Sequence, residues 1–376
     1  MKNKNSFLLA LTSSALVLPA YQSQAATAPE RSKFSYQFSS YQEDNTEASK
    51  TFGGESERYK IDVHQFKLLK PINDEYVVTL DLQTESLSGA SPWFTELNNA
   101  GQPQLVMSGA SISESRTDFN ASIRRYDTNN EMGLSISNSS ENDYTSTAFG
   151  FDGVYELENK HTTINAGFGI SNDELTPTQK LIPTSVTYAE KDTSSWFVGV
   201  GQVINPNMVG QVGLSFTKHS GYLTDPYKKN DARPNERVMW ALNGGIRYYV
   251  EDYDAALHAD YRFFTDDWGI DSHTITVSWY QPIFENYDLV PTIRYYSQSE
   301  ADFFSNSVDF NQTYYADDFR LSAYSAIETG LKLKQKFNDW AWSASVNYYQ
   351  SQEETNSSPG LVNFFRYSLA IEYSWD

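Results

Sequence analysis

The chain has 376 residues, no cysteine and a formal net charge of −20, with 28 Lys and Arg against 48 Asp and Glu. The acidic balance argues against nucleic-acid binding, and the lack of cysteine excludes disulfides and thiolate metal sites. Aromatic residues make up 15% of the chain although its mean hydropathy is −0.55, a combination typical of a membrane barrel with aromatic girdles and a wet interior.

Residues 1–25 have the pattern of a secretory signal peptide. Lys2 and Lys4 precede the apolar stretch Phe7–Leu18, and Ser23-Gln24-Ala25 offers small residues for cleavage after Ala25. The apolar stretch is shorter than the roughly 20 residues of a membrane helix. We therefore expect a signal peptide at 1–25 and a single exported domain at 26–376.

The rest of the chain alternates apolar and polar residues with a period of two, which indicates strands. Phe34–Phe38 and Val78–Leu82 are early examples, and Glu236–Gln298 holds four such runs in succession. These runs extend over roughly ten residues, longer than the strands of a soluble sandwich, and their apolar face ends in aromatic residues. The pattern favours a transmembrane barrel; a secreted β-sandwich or β-helix is the alternative.

Short and long connections alternate along the chain. Short turns are expected near Asn73, Asn129, Asn159, Pro206, Asp252, Asn286 and Asn338. Longer connections are expected at Leu87–Gly109, Asn138–Asp143, Asn172–Lys191, Lys218–Asn235 and Asp302–Asp318. This alternation of short and long connections predicts an all-β, antiparallel up-and-down transmembrane barrel of about 16 strands (roughly 14 to 18). It also predicts short periplasmic turns and long extracellular loops.

The final segment is the clearest single strand. Tyr367, Leu369 and Ile371 alternate with polar residues, and the run ends at Trp375 beside the terminal Asp376. An alternating C-terminal strand with a terminal aromatic residue resembles the assembly signal of outer-membrane barrels. Here the aromatic residue is penultimate, which departs slightly from that pattern.

Several segments match a known family in order along the chain. They are Ser88-Gly89-Ala90-Ser91-Pro92-Trp93, Ser220–Lys228, Arg233-Pro234, Arg237, Asp260-Tyr261-Arg262, Asp266–Ile270, Ser272-His273-Thr274, Arg294–Gln298 and Ala301–Phe304. With these segments the chain resembles an uncharacterised bacterial family, domain of unknown function 3570. The resemblance implies an exported, barrel-like outer-membrane protein of a Gram-negative bacterium. It also implies a periplasmic redox partner, because such proteins are similar in gene setting to ones encoded near a thioredoxin-like protein and a flavin-attaching transferase.

The polar face of the predicted strands carries charged residues that would line the lumen. The candidates are Asp81, Glu85, Arg124, His258, Asp260, Arg262, Arg294, Arg320, Glu328 and Arg366. A barrel of this size is wide enough for an aqueous channel unless loops fill it. Facing acids and bases would set a transverse field and control selectivity. Alternatively, they only pair with each other and stiffen the wall.

A second group of candidates lies in loops at the predicted outer rim. It comprises Trp93, His219, Asp225, Tyr227, Lys228, Arg233, Asp266, Asp267, Trp268 and His273. Carboxylates and imidazoles that converge there would suit a divalent cation, but the sequence has no compact ligand motif. Capping of turns and loops is the alternative use of the aspartates.

Three functions are compatible with this sequence. The first is a channel or solute-binding pore with a charged lumen. The second is a closed barrel that docks or assembles other exported proteins, and the third is a barrel enzyme. The sequence has no Gly-x-Ser-x-Gly elbow and no glycine-rich phosphate-binding loop, so we expect neither catalysis nor a cofactor. Outer-membrane lipid, the barrel assembly machinery and a small solute are the expected partners.

Overall fold

The computed structural model describes residues 27–45, 51–52, 58–89, 92–107, 112–177, 186–228, 230–353 and 362–376. The predicted signal peptide at 1–25 lies outside these residues. Among the residues described, no helix is long and apolar enough to cross a membrane.

The described residues form strands, with two short 3-10 turns among them at Glu251–Tyr253 and Phe319–Leu321. In chain order the strands are β1 (Ser32–Glu43), β2 (Thr51–Phe52), β3 (Lys60–Pro71), β4 (Tyr76–Gly89), β5 (Pro92–Leu97), β6 (Pro103–Met107), β7 (Ile112–Tyr126), β8 (Asn130–Ser140), β9 (Tyr144–Glu156), β10 (Thr162–Leu175), β11 (Ala189–Asn205), β12 (Met208–Gly221), β13 (Asp231–Ala232), β14 (Glu236–Val250), β15 (Ala255–Asp266), β16 (Asp271–Phe284), β17 (Tyr287–Gln298), β18 (Tyr315–Ala316), β19 (Tyr324–Phe337), β20 (Trp340–Glu353) and β21 (Phe364–Trp375).

Sixteen of these strands form one closed antiparallel barrel, as the sequence predicts. Each barrel strand pairs with the next one along the chain, and β1 pairs with β21 to complete the ring. Strands β2, β5, β6, β13 and β18 lie outside the ring and form two small sheets. Closure leaves no free strand edge in the barrel, so its backbone donors and acceptors are paired around the whole ring.

The outer face of the barrel is apolar. Leu134, Trp196 and Leu369 have exposed fractions of 58%, 55% and 60%, and similar values recur on all sides of the ring. Because successive residues of a strand point to opposite faces, the polar residues between these positions point inward. A wall of exposed Leu, Ile, Val, Phe and Trp around a polar interior is the arrangement that a transmembrane barrel requires.

The two ends of the barrel differ, and we call them the turn end and the loop end. At the turn end lie the predicted tight turns and both strand termini that close the ring. Asn286 and Asn338 adopt positive φ angles of 68° and 50° in two of these turns. At the loop end, the connection expected at Asn138–Asp143 is shorter than predicted, because β8 extends to Ser140 and β9 begins at Tyr144. The one expected at Asn172–Lys191 is also shorter, because β10 extends to Leu175 and β11 begins at Ala189. Only residues 267–270 lie between β15 and β16.

Loops from separate parts of the ring meet at the loop end, and we call this assembly the cap. The cap comprises residues 92–107, 222–235 and 299–323, as far as the structure describes them. Strand β13 pairs with β18, which joins the second segment to the third. Phe319 packs on Leu105 and Met107, although the strands flanking these residues lie far apart in the ring. The cap therefore spans the opening of the lumen.

Candidate functional site: the lumen and its cap

The structure places most of the predicted lumen residues on the inner face of the barrel. Each belongs to a barrel strand and has the opposite parity to the exposed apolar residues of that strand. They are Asp81, Glu85, Arg124, His258, Asp260, Arg262, Arg294, Glu328 and Arg366.

One part of the inner face, on strands β3 to β9, carries more carboxylates than cations, and we call it the acidic wall. Its carboxylates are Asp81, Glu85, Glu114, Asp118, Glu131, Asp152 and Glu156, and its cations are Lys67, Arg116 and Arg124. The Arg116 guanidinium lies 2.8 Å from Asp118 and 3.7 Å from Glu85. Arg124 lies 2.5 Å from Asp152 and 3.8 Å from Glu131. Each arginine is thus shared among several carboxylates.

The inner face of strands β14 to β21 has the reverse balance, and we call it the basic wall. Its cations are Arg237, Arg247, Arg262, Arg294, Lys332, Lys334, Lys336 and Arg366, and its carboxylates are Asp260, Asp266, Asp288, Glu328 and Glu372. Here one carboxylate serves two cations, since Glu328 lies 2.7 Å from Arg366 and 3.6 Å from Arg294. Because the acidic and basic walls face each other, the charges set an electric field across the lumen.

A cavity of about 510 Å³ lies between the two walls. One side carries a row of amides in which Gln37 donates to Gln65 at 3.1 Å and Gln65 donates to Gln83 at 2.6 Å. Gln83 then donates to Glu85 at 2.7 Å. The glutamines lie side by side because β1, β3 and β4 are neighbours in register. This row gives the cavity a hydrogen-bonding surface across three neighbouring strands.

The cap holds a chain of buried ion pairs that links two of its segments. Arg233 lies 2.9 Å from both Asp231 and Asp318. Arg320 contacts Asp318 as well, and its guanidinium also lies 3.1 Å from Asp225. The Asp318 carboxylate in addition accepts a hydrogen bond from the Arg320 amide, at 3.1 Å. Asp318 thereby joins residues far apart in sequence into one charged network.

Three carboxyl groups of the cap have shifted pKa values. Burial would raise the pKa of Asp318, but Arg320, Lys228 and Arg233 around it hold that pKa well below its usual range. Burial raises the pKa of Asp317 to about 7, against the opposing effect of the Asn230 amide and Lys228. Burial likewise raises the pKa of Asp231 to about 6, although Arg233 opposes the shift. The cap therefore contains carboxyl groups that change charge near neutral pH.

A second cavity, of about 420 Å³, lies beneath the cap. His219, Asp225, Arg233 and Trp268 from the predicted rim group line it. The Arg237 guanidinium stacks over the Trp268 ring at 4.5 Å from the ring centre. Other members of the rim group hold the cap in place. Tyr227 is fully buried, and its hydroxyl donates to the Asp143 carboxylate in the β8–β9 turn.

Two predictions about these residues are wrong. Arg320 lies in the 3-10 turn Phe319–Leu321 of the cap, because β19 begins only at Tyr324, and it is no part of the strand wall. His273 does not approach the rim aspartates. It lies on β16 with the parity of the outward Ile275, and its Nδ1 lies 2.8 Å from the Tyr261 hydroxyl on the outer face.

The predicted convergence on a divalent cation does not occur. Within the described part of the chain, no group of three or more Asp, Glu or His side chains could hold a metal ion. Asp266 pairs with Arg237, and Asp267 accepts a hydrogen bond from the Val238 amide at 2.9 Å. These aspartates thus have the capping and pairing roles that the sequence offers as the alternative. The side chain of Trp93 lies outside the described residues.

Sequence reasoning missed Asp318 and Lys334 as candidate residues. The alternation that identifies Lys332 as inward also places Lys334 inward, two residues further along β19, so that signal was present. Asp318 sits at the end of a long loop, and its partner Arg233 is 85 residues away. No local pattern links the two residues, and only the folded loops bring them together.

The geometry defines the class of this protein as a 16-strand β-barrel of the outer-membrane type. The family model described as a protein of unknown function, DUF3570, matches residues 8–368, and the chain belongs to this family. No curated protein matches the sequence.

Solved structures share the fold at very low identity. A bacterial polysaccharide outer membrane secretin matches with a TM-score of 0.53 and 8% identity, over 91% of this chain and 98% of that one. CdiB from Acinetobacter baumannii matches with a TM-score of 0.55 and 8% identity, over 92% of this chain and 60% of that one. OccAB3 from the same organism has a TM-score of 0.46 and 9% identity, over 92% and 99% of the two chains.

Proposed function

We propose that this protein is a channel for small polar solutes in the outer membrane of a Gram-negative bacterium. The observation that carries the proposal is the separation of charge across the lumen, with an acidic wall facing a basic wall and a cavity of about 510 Å³ between them. Many of these charges form local pairs, which also stiffen the barrel, but each wall keeps an excess of one sign. A lumen with opposed walls of this kind orients a charged or dipolar solute as it passes.

Its placement in the outer membrane is part of the proposal. The apolar outer face, the predicted signal peptide and the alternating C-terminal strand support it, as does membership of the family. The partners we propose are outer-membrane lipid, the barrel assembly machinery and a small solute. A periplasmic redox partner rests only on the family resemblance, and we assign the barrel no catalytic role.

Conductance measurements test the channel. Purified protein reconstituted in a planar bilayer should give discrete conductance steps under a KCl gradient. The Arg294→Ala variant removes a cation from the basic wall and should shift the reversal potential toward cation preference, and Arg262→Ala should act in the same direction. Arg125→Ala is the matched control, because Arg125 is exposed at the turn end and points away from the lumen.

A second variant tests whether the cap closes the channel, since the cap spans the loop end of the lumen. The Asp318→Ala variant removes the carboxylate that Arg233 and Arg320 share, and it should raise the open probability. The proposal fails if wild-type protein and this variant are both correctly folded and both electrically silent.

The cap also favours one alternative, a closed barrel that docks another exported protein through its outer loops. Its loops are interlocked by buried contacts, as in a permanently shut barrel. Under this alternative both proteins would be silent in the bilayer, and an exported protein would co-purify with the wild type in a manner that depends on the cap.

A further inference from the structure

Two neighbouring lysines of the basic wall face the same cavity. Lys332 and Lys334 project from β19 into the cavity between the walls, and both are half-buried. In the described part of the chain no carboxylate forms an ion pair with either amine, although Asp288 faces Lys334 in the register of β17 and β19. The Lys334 amine instead lies over the Tyr280 ring, 4.9 Å from the ring centre.

Their neighbours on the basic wall behave differently. Arg294 and Arg366 both contact the buried Glu328, a cluster that keeps one net positive charge, and Arg366 lines the same cavity as the lysines. Placing two more cations close together beside this cluster is unfavourable unless an anion joins them. The excess positive charge is therefore concentrated at one place in the lumen.

The carboxylate Glu85 also lines the cavity, where Gln83 and Arg116 contact it, and so does Arg366. Most of the remaining lining is uncharged and polar. Ser343, Ser345 and Asn347 of β20 and Ser368 of β21 lie next to the lysines, and the glutamine row of β1, β3 and β4 lies opposite. Ser39 and Ser368 lie 3.0 Å apart, so the polar surface continues across the β1–β21 closure. Amides and hydroxyls both donate and accept hydrogen bonds, which makes them suitable partners for the hydroxyl groups of a solute.

We infer that this cavity is a binding site for a small hydroxylated carboxylate of the sugar-acid type. The carboxylate lies at Lys332 and Lys334, and the hydroxyl groups lie against the serines and the glutamine row. The cavity volume is within the range of small-molecule sites, roughly 300 to 1,000 Å³. The inference deepens the proposed channel function, because it names the class of solute that the lumen takes.

Calorimetric titration of the detergent-solubilised full chain tests the site without a membrane. Glucuronate is the probe and glucose the comparison, since the two differ in the carboxylate. Glucuronate should bind about tenfold more tightly than glucose, as expected for hydrogen bonds to a charged group. The Lys332→Gln/Lys334→Gln variant should remove this difference and leave glucose binding unchanged.

The matched control is Lys336→Gln, on the same strand but exposed and outside the cavity. It should bind glucuronate like the wild type, and circular dichroism should show that all variants are folded. Equal binding of glucuronate and glucose, or equal loss in the control and the double variant, overturns the inference. So does displacement of glucuronate by equimolar chloride, because the lysines would then hold only a counter-ion.

The outcomes also separate this inference from the channel proposal. Tight glucuronate binding by an electrically silent barrel supports the site and contradicts the channel. Conductance without preferential glucuronate binding supports the channel and contradicts the site.

Discussion

The turn end and the loop end of the barrel are held by different kinds of interaction. At the turn end, the tight turns are stabilised largely within their own hairpins, as where the Asn159 side chain accepts a hydrogen bond from the His161 amide at 2.9 Å. The contacts that join separate segments there are exposed, such as those of Asn207 with Glu251 and of Arg31 with Asp339. At the loop end, contacts join distant segments and bury charges, as in the network around Asp318.

This difference indicates where the molecule can change shape. A turn held by its own backbone conformation keeps its structure whatever the neighbouring hairpins do. The cap depends on contacts between separate loops, so the loss of one buried partner affects all of them. We therefore expect perturbations at the loop end to open the cap while the barrel stays intact.

The largest effect is expected for Asp318→Ala. The substitution leaves Arg233 and Arg320 without the carboxylate they share, and breaking a buried pair in this way costs about 3 to 5 kcal/mol. Limited proteolysis should cleave the cap much faster while the strand content seen by circular dichroism is unchanged. Asp339→Ala, which removes the exposed partner of Arg31, should cause no measurable change. Equal protease sensitivity of the two variants would contradict the comparison of the two ends.

A pH-dependent opening of the cap is expected next. The pKa of Asp317 is raised to about 7 and that of Asp231 to about 6. A carboxyl group with a raised pKa in the folded state contributes stability that is complete below its ordinary pKa and is lost as the pH rises through the raised value. The cap should therefore loosen as the pH rises from about 4 through about 7.

Proteolysis rates measured across this window check the expectation. The Asp317→Asn variant cannot ionise at that position, so its rate should rise less steeply with pH than that of the wild type. Asp318, whose pKa is lowered, stays ionised throughout the window and contributes nothing to the slope. A wild-type rate that is flat with pH would show that the ionisation of Asp317 is not coupled to the cap.

How far the sequence predicts the structure follows from the same distinction between local and distant contacts. The alternation of Tyr367, Leu369 and Ile371 fixes a strand and its outward face, because both depend only on neighbouring residues and on the solvent each face meets. The strand number, the tight turns and the inner position of Glu328 and Arg366 follow in the same way. These features require no knowledge of which loops meet.

The cap could not be predicted in this way. Arg233 and Asp318 are 85 residues apart, and nothing in either loop indicates the other. The error at His273 has another cause. Its parity matches that of Ile275, so alternation alone places it outside, but assigning it to a loop removed that constraint. Prediction thus failed where strand ends were misplaced or contacts were distant.

A smaller effect is expected for Tyr227→Phe. The ring is fully buried and is kept, while the hydroxyl that donates to the Asp143 carboxylate is lost. Loss of a buried hydrogen bond to a charged acceptor costs about 1 to 3 kcal/mol. Limited proteolysis should show a modest acceleration of cap cleavage. Tyr249→Phe removes a similar bond, to Asp254, in an exposed position at the turn end, and it should leave cleavage unchanged. If both variants accelerated cap cleavage to the same extent, buried contacts at the loop end would not differ from exposed contacts at the turn end in their effect on the cap.

The smallest effect is expected at the turn end itself. Asn338 connects β19 to β20 with a φ of 50°, a conformation that asparagine and glycine adopt readily and a β-branched residue does not. Asn338→Val should lower the free energy of unfolding in urea by about 1 to 2 kcal/mol, while Asn338→Gly should leave it nearly unchanged. Neither substitution should alter cap proteolysis, because in the part of the chain that the structure describes no contact links this turn to the loop end. If Asn338→Val loosened the cap, the strands would transmit strain along their length, and the two ends could not be treated as independent.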